Sequence, residues 1–189
     1  MGFFSSLSQI LGVGRRQVNV IVVGLDNSGK TTMLNYLRTP ETATTQIAPT
    51  VGFSVVNFIT NNFSFTAFDM AGQGKYRNLW ETYYVNSQGV IFVVDSADRL
   101  RMAVARDELW MILDHKDVAG RPVILANKTD VKDAMTSKSN ITIFFDLGLD
   151  LIRGHKWNIH GTCALNGAGI QRALEWLTKE IKSYLDSQK

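Results

Sequence analysis

The run Gly24-Leu25-Asp26-Asn27-Ser28-Gly29-Lys30-Thr31-Thr32 fits the spacing G-x-x-x-x-G-K-[ST]. Its glycines permit a tight turn that brings backbone amides toward phosphate oxygens. Lys30 has the reach and charge for β- and γ-phosphates, and the Thr31 hydroxyl is placed to ligate Mg²⁺. Downstream, Asp69-Met70-Ala71-Gly72-Gln73 adds a second cluster. An Asp at a strand end opposite a phosphate loop can hold Mg²⁺ through water. The Gly72 amide can meet a γ-phosphate, because no side chain blocks the approach. Gln73 can orient an attacking water, which makes it, with Lys30, the candidate catalytic pair. Thr50 is the natural second hydroxyl for Mg²⁺, available only when its loop closes. Two hydroxyls, two phosphate oxygens and two waters would complete the octahedral oxygen shell that Mg²⁺ requires.

Asn127-Lys128-Thr129-Asp130 selects the base. The Asp130 carboxylate can accept from N1–H and N2–H₂ of guanine. Adenine offers neither donor, and a buried acceptor left unpaired is costly. Asn127 can tie this segment to the phosphate loop and touch N7, and the Lys128 stem can cover a ring face. Cys163 and Ala164 begin a turn whose backbone amide can meet guanine O6. Cys163 itself reads as a small buried residue, since no His stands beside it in a recognised motif. His115, His155 and His160 lack metal-ligand spacing and read as surface or packing residues.

These clusters need a scaffold that brings them together. Residues 18–23 are near-continuous Val and Ile, as expected of a parallel strand covered on both faces. The phosphate loop and a helix follow, then a polar, Thr-rich loop over 41–50. Residues 51–59 and 63–68 read as strands joined by Asn61-Asn62, residues that tolerate the positive φ of a tight hairpin turn. An irregular helix through Leu79, Trp80, Tyr83 and Tyr84 comes next. Strands over 90–94, 122–126 and 157–162 alternate with helical patterns over 103–113, 134–149 and 170–185. The expected architecture is a doubly wound α/β domain: a mostly parallel six-stranded sheet, one antiparallel edge hairpin, and helices on both faces. Ligands bind such sheets at the carboxyl ends of the strands, where every polar cluster above falls.

The chain has 189 residues, which suits one domain of 17–189 and a short leading arm of 1–16. A net charge of +3 is too mild to argue for nucleic acid, and no basic and aromatic stripe appears. A single cysteine excludes a disulfide framework and is compatible with a reducing compartment. The start lacks the basic and long apolar regions of a secretory signal. In the arm, Phe3, Phe4, Leu7, Ile10 and Leu11 make one apolar stripe at helical spacing. Such a stripe suits a groove on its own domain or a membrane interface. Gly2 with Ser6 fits the minimal myristoylation pattern.

The set GLDNSGKTT, PTVGF, D-x-A-G-Q and NKTD resembles the ADP-ribosylation-factor branch of the Ras-like GTPases, a group of small P-loop G domains. The resemblance covers almost the whole chain, the arm included. Residues 68–81 and 95–102 are similar to the ciliary factor-like group, whose GTP forms recruit the BBSome coat to membranes for ciliary cargo traffic. The resemblance implies GTP/GDP and Mg²⁺ as cofactors and a monomer. It implies as partners an exchange factor, a GTPase-activating protein, a BBSome-like coat or another effector, and a membrane surface met through the arm. It implies a cytoplasmic protein that visits membrane reversibly at the cilium or its base. Phe53, Trp80 and Tyr83 match the aromatic cluster through which the family meets effectors. In the GDP state the arm lies in a groove beside the hairpin; in the GTP state the hairpin slides, fills the groove and releases the arm. A slide by an even number of residues keeps each side chain on its face.

The chain departs from the branch in two places. Ala71 stands where Gly is usual, which restricts the loop but leaves Gly72 intact, and Phe68 stands where Trp is usual. No intrinsic arginine finger is implied, so hydrolysis is expected to be slow until an activating protein donates one. Two other classes compete: a GTP-sensing module with negligible hydrolysis, opposed by Gln73, and a nucleotide kinase or ATPase, opposed by Asp130. A related factor acting in non-ciliary vesicle traffic is a further alternative.

Overall fold

The computed structural model describes residues 15–38, 46, 48–60, 63–121, 123–129, 144 and 146–188. Residues 1–14 of the leading arm, the Asn61-Asn62 turn, Asp130 and most of the helix expected over 134–149 lie outside the described residues, and Arg16, expected to end the arm, already begins the first strand.

A sheet with the order β2-β3-β1-β4-β5-β6 carries the structure. Its strands are β1 (Arg16–Val23), β2 (Phe53–Thr60), β3 (Phe63–Met70), β4 (Gly89–Val94), β5 (Val123–Lys128) and β6 (Trp157–Thr162). β2 and β3 pair antiparallel with Thr60 opposite Phe63, as a tight hairpin requires. The other neighbours pair parallel, so the P-loop, mixed-sheet G-domain architecture is present.

β1 runs through the centre, and its last four residues, Val20 to Val23, are fully buried. Alternation splits them between two faces. Ile21 and Val23 pack with Trp80, Met102, Leu109 and Ile112. Val20 and Val22 pack with Met33, Leu34, Leu174 and Leu177. The first face is covered by α2 (Trp80–Tyr84) and α3 (Met102–Leu113), the second by α1 (Lys30–Leu37) and α4 (Ile170–Ser187). In α4 the residues Ile170, Leu174, Leu177 and Ile181 follow the i, i+4, i+7 rule and are buried. Each such side chain contributes about 1.5–3 kcal/mol by leaving water. That burial overrides the helix's otherwise polar composition.

Most strand ends differ from expectation by one or two residues, and two differences bear on the site. Residues 74–79 form a 3-10 turn leading into the short α2, in place of one irregular helix. Strand β5 extends into Asn127 and Lys128, which pair with Gly161 and Thr162 of β6. The start of the base-selecting segment is therefore sheet backbone rather than loop, and the sheet fixes its position.

Candidate nucleotide and magnesium site

The phosphate loop leaves β1 at Gly24 and enters α1 at Lys30. Asn27 and Gly29 have φ of 59° and 98°, left-handed values of the kind that build an anion-binding nest of backbone amides. Gly24 is required for another reason. A Cβ there would lie 2.3 Å from the Val93 carbonyl oxygen, so the loop is seated directly on the backbone of β4. Beneath it a cleft of about 300 Å³ is lined by loop residues on one side and by Thr50, Ala71, Gly72 and Gln73 on the other.

Three predicted magnesium residues meet in this cleft. The Thr31 hydroxyl donates to Asp69 Oδ2 at 2.7 Å and lies 2.9 Å from the Thr50 hydroxyl. Thr50 Oγ1 is also 3.4 Å from the same carboxylate oxygen. Asp69 is fully buried, and its other oxygen, Oδ1, has no hydrogen-bond partner. Burial raises its carboxyl pKa, while the Thr31 hydrogen bond and the Lys30 charge oppose that rise. An orphaned carboxylate oxygen beside two hydroxyls is a hard, all-oxygen donor set. It fits Mg²⁺ held by Thr31 and Thr50, with Asp69 acting through water.

Lys30 is buried, and its ammonium donates to the carbonyls of Gly24 (3.0 Å) and Leu25 (2.7 Å). Burial lowers its pKa to about 8, against the pull of Asp69 and Asp26. Phosphate charge would reverse that depression. Gly72 packs on the loop so closely that a Cβ would lie 2.3 Å from the Asp26 nitrogen. Its neighbour Ala71 is held at both ends: its N–H donates to the Gly52 carbonyl (2.9 Å), and its carbonyl accepts from Trp80 Nε1 (3.1 Å). The methyl of Ala71 is buried at 2% exposure, so this departure from the family pattern is absorbed by packing.

The exposure expected of Trp80 is corrected. It is 2% exposed, because its indole N–H is committed to Ala71 and its rings fill the core. Of the other two aromatic candidates, Phe53 is 44% exposed and Tyr83 is half-buried against the core. Phe53 packs tilted against Tyr83 with ring centroids 4.9 Å apart, while Phe68 packs tilted against the same Tyr83 at 4.8 Å. Phe68, in place of the usual Trp, thus belongs to a three-ring face.

On the base side, Thr129 N–H and hydroxyl donate to the Thr162 carbonyl at 3.0 and 3.2 Å. That places the base-selecting segment beside Cys163 and Ala164. Cys163 is buried, and its turn is closed by its N–H to the Ala168 carbonyl (2.9 Å). The Lys128 stem lies against Gly29, and its ammonium pairs with Asp95 Oδ2 at 2.9 Å. Asp95 follows β4 and escaped sequence reasoning, although its position at a strand's carboxyl end was a signal. Arg101 also escaped it: this side chain bonds Asp26 of the loop from 75 residues away, and no motif marks it. Asp130 lies outside the described residues.

A P-loop with two hydroxyls and a carboxylate gathered in one cleft, and Asn127 and Lys128 at the end of the adjoining strand, are the arrangement of a P-loop nucleotide-binding domain. The model of the ADP-ribosylation factor family matches residues 3–181, and the chain belongs to that family. It is 59% identical to ADP-ribosylation factor-like protein 6 of Caenorhabditis briggsae, over the full length of both chains. Identity to the protein of the same name is 44% in Danio rerio, over 97% of this chain and 98% of the other. The solved Arl6 BBS3 small GTPase of Trypanosoma brucei, with bound nucleotide analogue GppNp, is 36% identical. It superposes with a TM-score of 0.80, covering 89% of this chain and 99% of that one. The chain is therefore a GTP-binding switch that hydrolyses GTP.

Proposed function

We propose that this GTPase, in its GTP form, releases its arm (1–16) to a membrane and presents the Phe53–Tyr83–Phe68 face of its G domain (17–189) to a BBSome-like coat. The observation that carries this reading is the gathering of Thr50 and Gly72 onto the phosphate loop. Thr50 meets Thr31 at 2.9 Å and Gly72 packs on Asp26, although the chain approaches from two different loops. Bound Mg²⁺ would neutralise phosphate charge as the terminal bond breaks. Thr31 and Thr50 would hold it through their hydroxyls, with the Asp69 carboxylate, bonded to Thr31, behind them. Lys30 neutralises phosphate oxygens, and Gln73, at the rim of the cleft, positions the water that attacks. Asp130 and Lys128 hold the guanine, with Cys163 and Ala164 beside it.

Hydrolysis is slow without help. Two arginines beside the loop are already committed: Arg77 to the Gly72 carbonyl and Glu108, and Arg101 to Asp26 and Asp98. An activating protein supplies the missing guanidinium. The hairpin slide is favoured by the position of β2 at the sheet edge, where it pairs only with β3 among the described residues. Its inward residues Val56, Phe58 and Thr60 alternate with outward ones, so a two-residue step preserves both faces. The six-stranded sheet with helices on both faces is the rigid frame for that movement.

Two measurements test the reading. Extract is passed over the Gln73→Leu protein loaded with GTP and over wild type loaded with GDP. Capture of BBSome-like subunits by the GTP form alone supports it, and capture of other traffic effectors moves the chain to non-ciliary vesicle traffic. Liposome flotation that is the same with GDP and a non-hydrolysable GTP analogue would show the arm to be a fixed helix.

A further inference from the structure

Asp26 is gripped from two sides. On one side its amide is the surface on which Gly72 closes: a Cβ on Gly72 would lie 2.3 Å from that nitrogen. On the other side Arg101 donates from Nη1 to Asp26 Oδ1 at 2.9 Å and from Nη2 to the Asp26 carbonyl at 3.2 Å. Arg101 is itself anchored. Its Nε donates to Asp98 Oδ2 at 2.6 Å, and its backbone N–H donates to Asp98 Oδ1 at 3.3 Å. The turn that carries Asp98 is pinned to Asp95, through Asp98 N–H to the Asp95 carbonyl (3.1 Å) and Ala97 N–H to Asp95 Oδ1 (3.0 Å). The remaining Asp95 oxygen holds Lys128. A guanidinium gripping both the carboxylate and the carbonyl of one loop residue fixes that residue's side chain relative to the Asp26–Asn27 peptide, and so restrains its Cα, which a single ammonium cannot do.

We propose that Arg101 is a positioning residue for the closed switch: by fixing Asp26 through its carboxylate and its carbonyl it holds, across the Asp26 Cα, the Leu25–Asp26 peptide against which Gly72 closes, and so favours the triphosphate over the diphosphate state. The proposal rests on the reading of the protein as a GTP-driven switch. Arg101 reaches no nucleotide position itself and acts through Asp26. In the diphosphate state Gly72 has no terminal phosphate to close upon, so the grip matters less there. Losing Arg101 should therefore change the ratio of two affinities, not their common scale. Loss of packing or of general stability would lower both together.

The test measures dissociation of fluorescent GDP and of a fluorescent non-hydrolysable GTP analogue from the full chain in excess Mg²⁺. Arg101→Ala is expected to speed release of the triphosphate analogue by about three- to ten-fold and of GDP by less than about two-fold, the scale of a partly exposed charge pair. Arg101→Lys should fall between, keeping one contact of the two. Asp26→Ala should reproduce the selective loss, and Arg101→Ala added to it should bring nothing further. Equal acceleration of both nucleotides, or additive effects of the Asp26 and Arg101 changes, would overturn the proposal. Gly72→Ala serves as reference: if it shifts the ratio and Arg101→Ala does not, the positioning role fails while the switch reading stands. If neither shifts the ratio, both fail.

Discussion

Replacing Gly72 by alanine adds one methyl where the structure has no space for it. That carbon would stand 2.3 Å from the Asp26 nitrogen, 2.4 Å from the Leu25 carbonyl carbon and 2.6 Å from the Gly24 oxygen. All three are backbone atoms of the phosphate loop, so no side chain can swing aside. Ordinary contact begins near about 3.4 Å, and the segment must retreat by about 1 Å. A retreat of that size strains three bonds at once: Ala71 N–H to Gly52 (2.9 Å), Trp80 Nε1 to Ala71 (3.1 Å) and Arg77 Nε to the Gly72 carbonyl (3.1 Å). It also withdraws the Gly72 amide from the terminal phosphate. A hydrogen bond to a charged group is worth about 1.5–3 kcal/mol, which corresponds to about 10- to 150-fold in affinity. The loss should fall on the GTP analogue, with GDP affinity changed by less than about three-fold, because on the proposed switch only the triphosphate has the terminal phosphate that the Gly72 amide would bond. Stopped-flow association and dissociation with fluorescent nucleotides read both affinities. An equal loss for GDP and the GTP analogue would refute the reasoning, since it would mean that Gly72 supports the loop in either state.

Chelating Mg²⁺ with EDTA should speed GDP release by about ten-fold or more, and Thr31→Ala should abolish most of that sensitivity, as followed by nucleotide fluorescence. Trp80→Phe leaves the buried Ala71 carbonyl without its donor and opens a small void. A cost of about 2 kcal/mol should lower the melting temperature by about 4–8 °C in calorimetry, with the three-ring face intact. His160 packs against Trp176, and burial, assisted by the Arg172 charge, lowers its pKa. The unfolded chain therefore binds the proton more readily, so stability is full above the ordinary histidine pKa near about 6.5 and falls as pH drops through it. His160→Gln should flatten the acid side of a melting-temperature profile taken from pH 7.5 to about 5.5; an unchanged slope would exclude the histidine as its source.

The phosphate loop was legible because its requirements are local. A glycine, a lysine and a threonine at fixed spacing after a Val-rich strand leave few alternatives, and the loop stands between β1 and α1 as expected. The central strands were legible for a related reason: burial on both faces writes itself as an unbroken apolar run, as in Val90 to Val94. Trp80 shows the opposite case. An aromatic beside a switch reads alike whether it faces water or the core, and the decision came from a carbonyl nine residues back in chain and across a turn. Asp95 and Arg101 were hidden because their meaning is pairwise. Each is an ordinary surface charge until the fold sets Lys128 or Asp26 beside it. The 3-10 turn at 74–79 had no periodicity to announce it, since its backbone follows from the anchoring of Ala71 below and Arg77 above.

The bond from the Trp80 indole to the Ala71 carbonyl has a mechanical consequence. It rivets the Ala71–Gly72 segment, proposed to sense the last phosphate, to the helix that carries Tyr83, against which Phe53 and Phe68 pack. When Gly72 lifts away from the loop, that helix cannot stay behind without exposing a tryptophan and stranding its N–H. Sensor and display surface are thus geared as one lever. Loss of a single phosphate should appear at the aromatic face as a rigid tilt, with its amides exchanging in step with those of the sensing segment rather than melting separately.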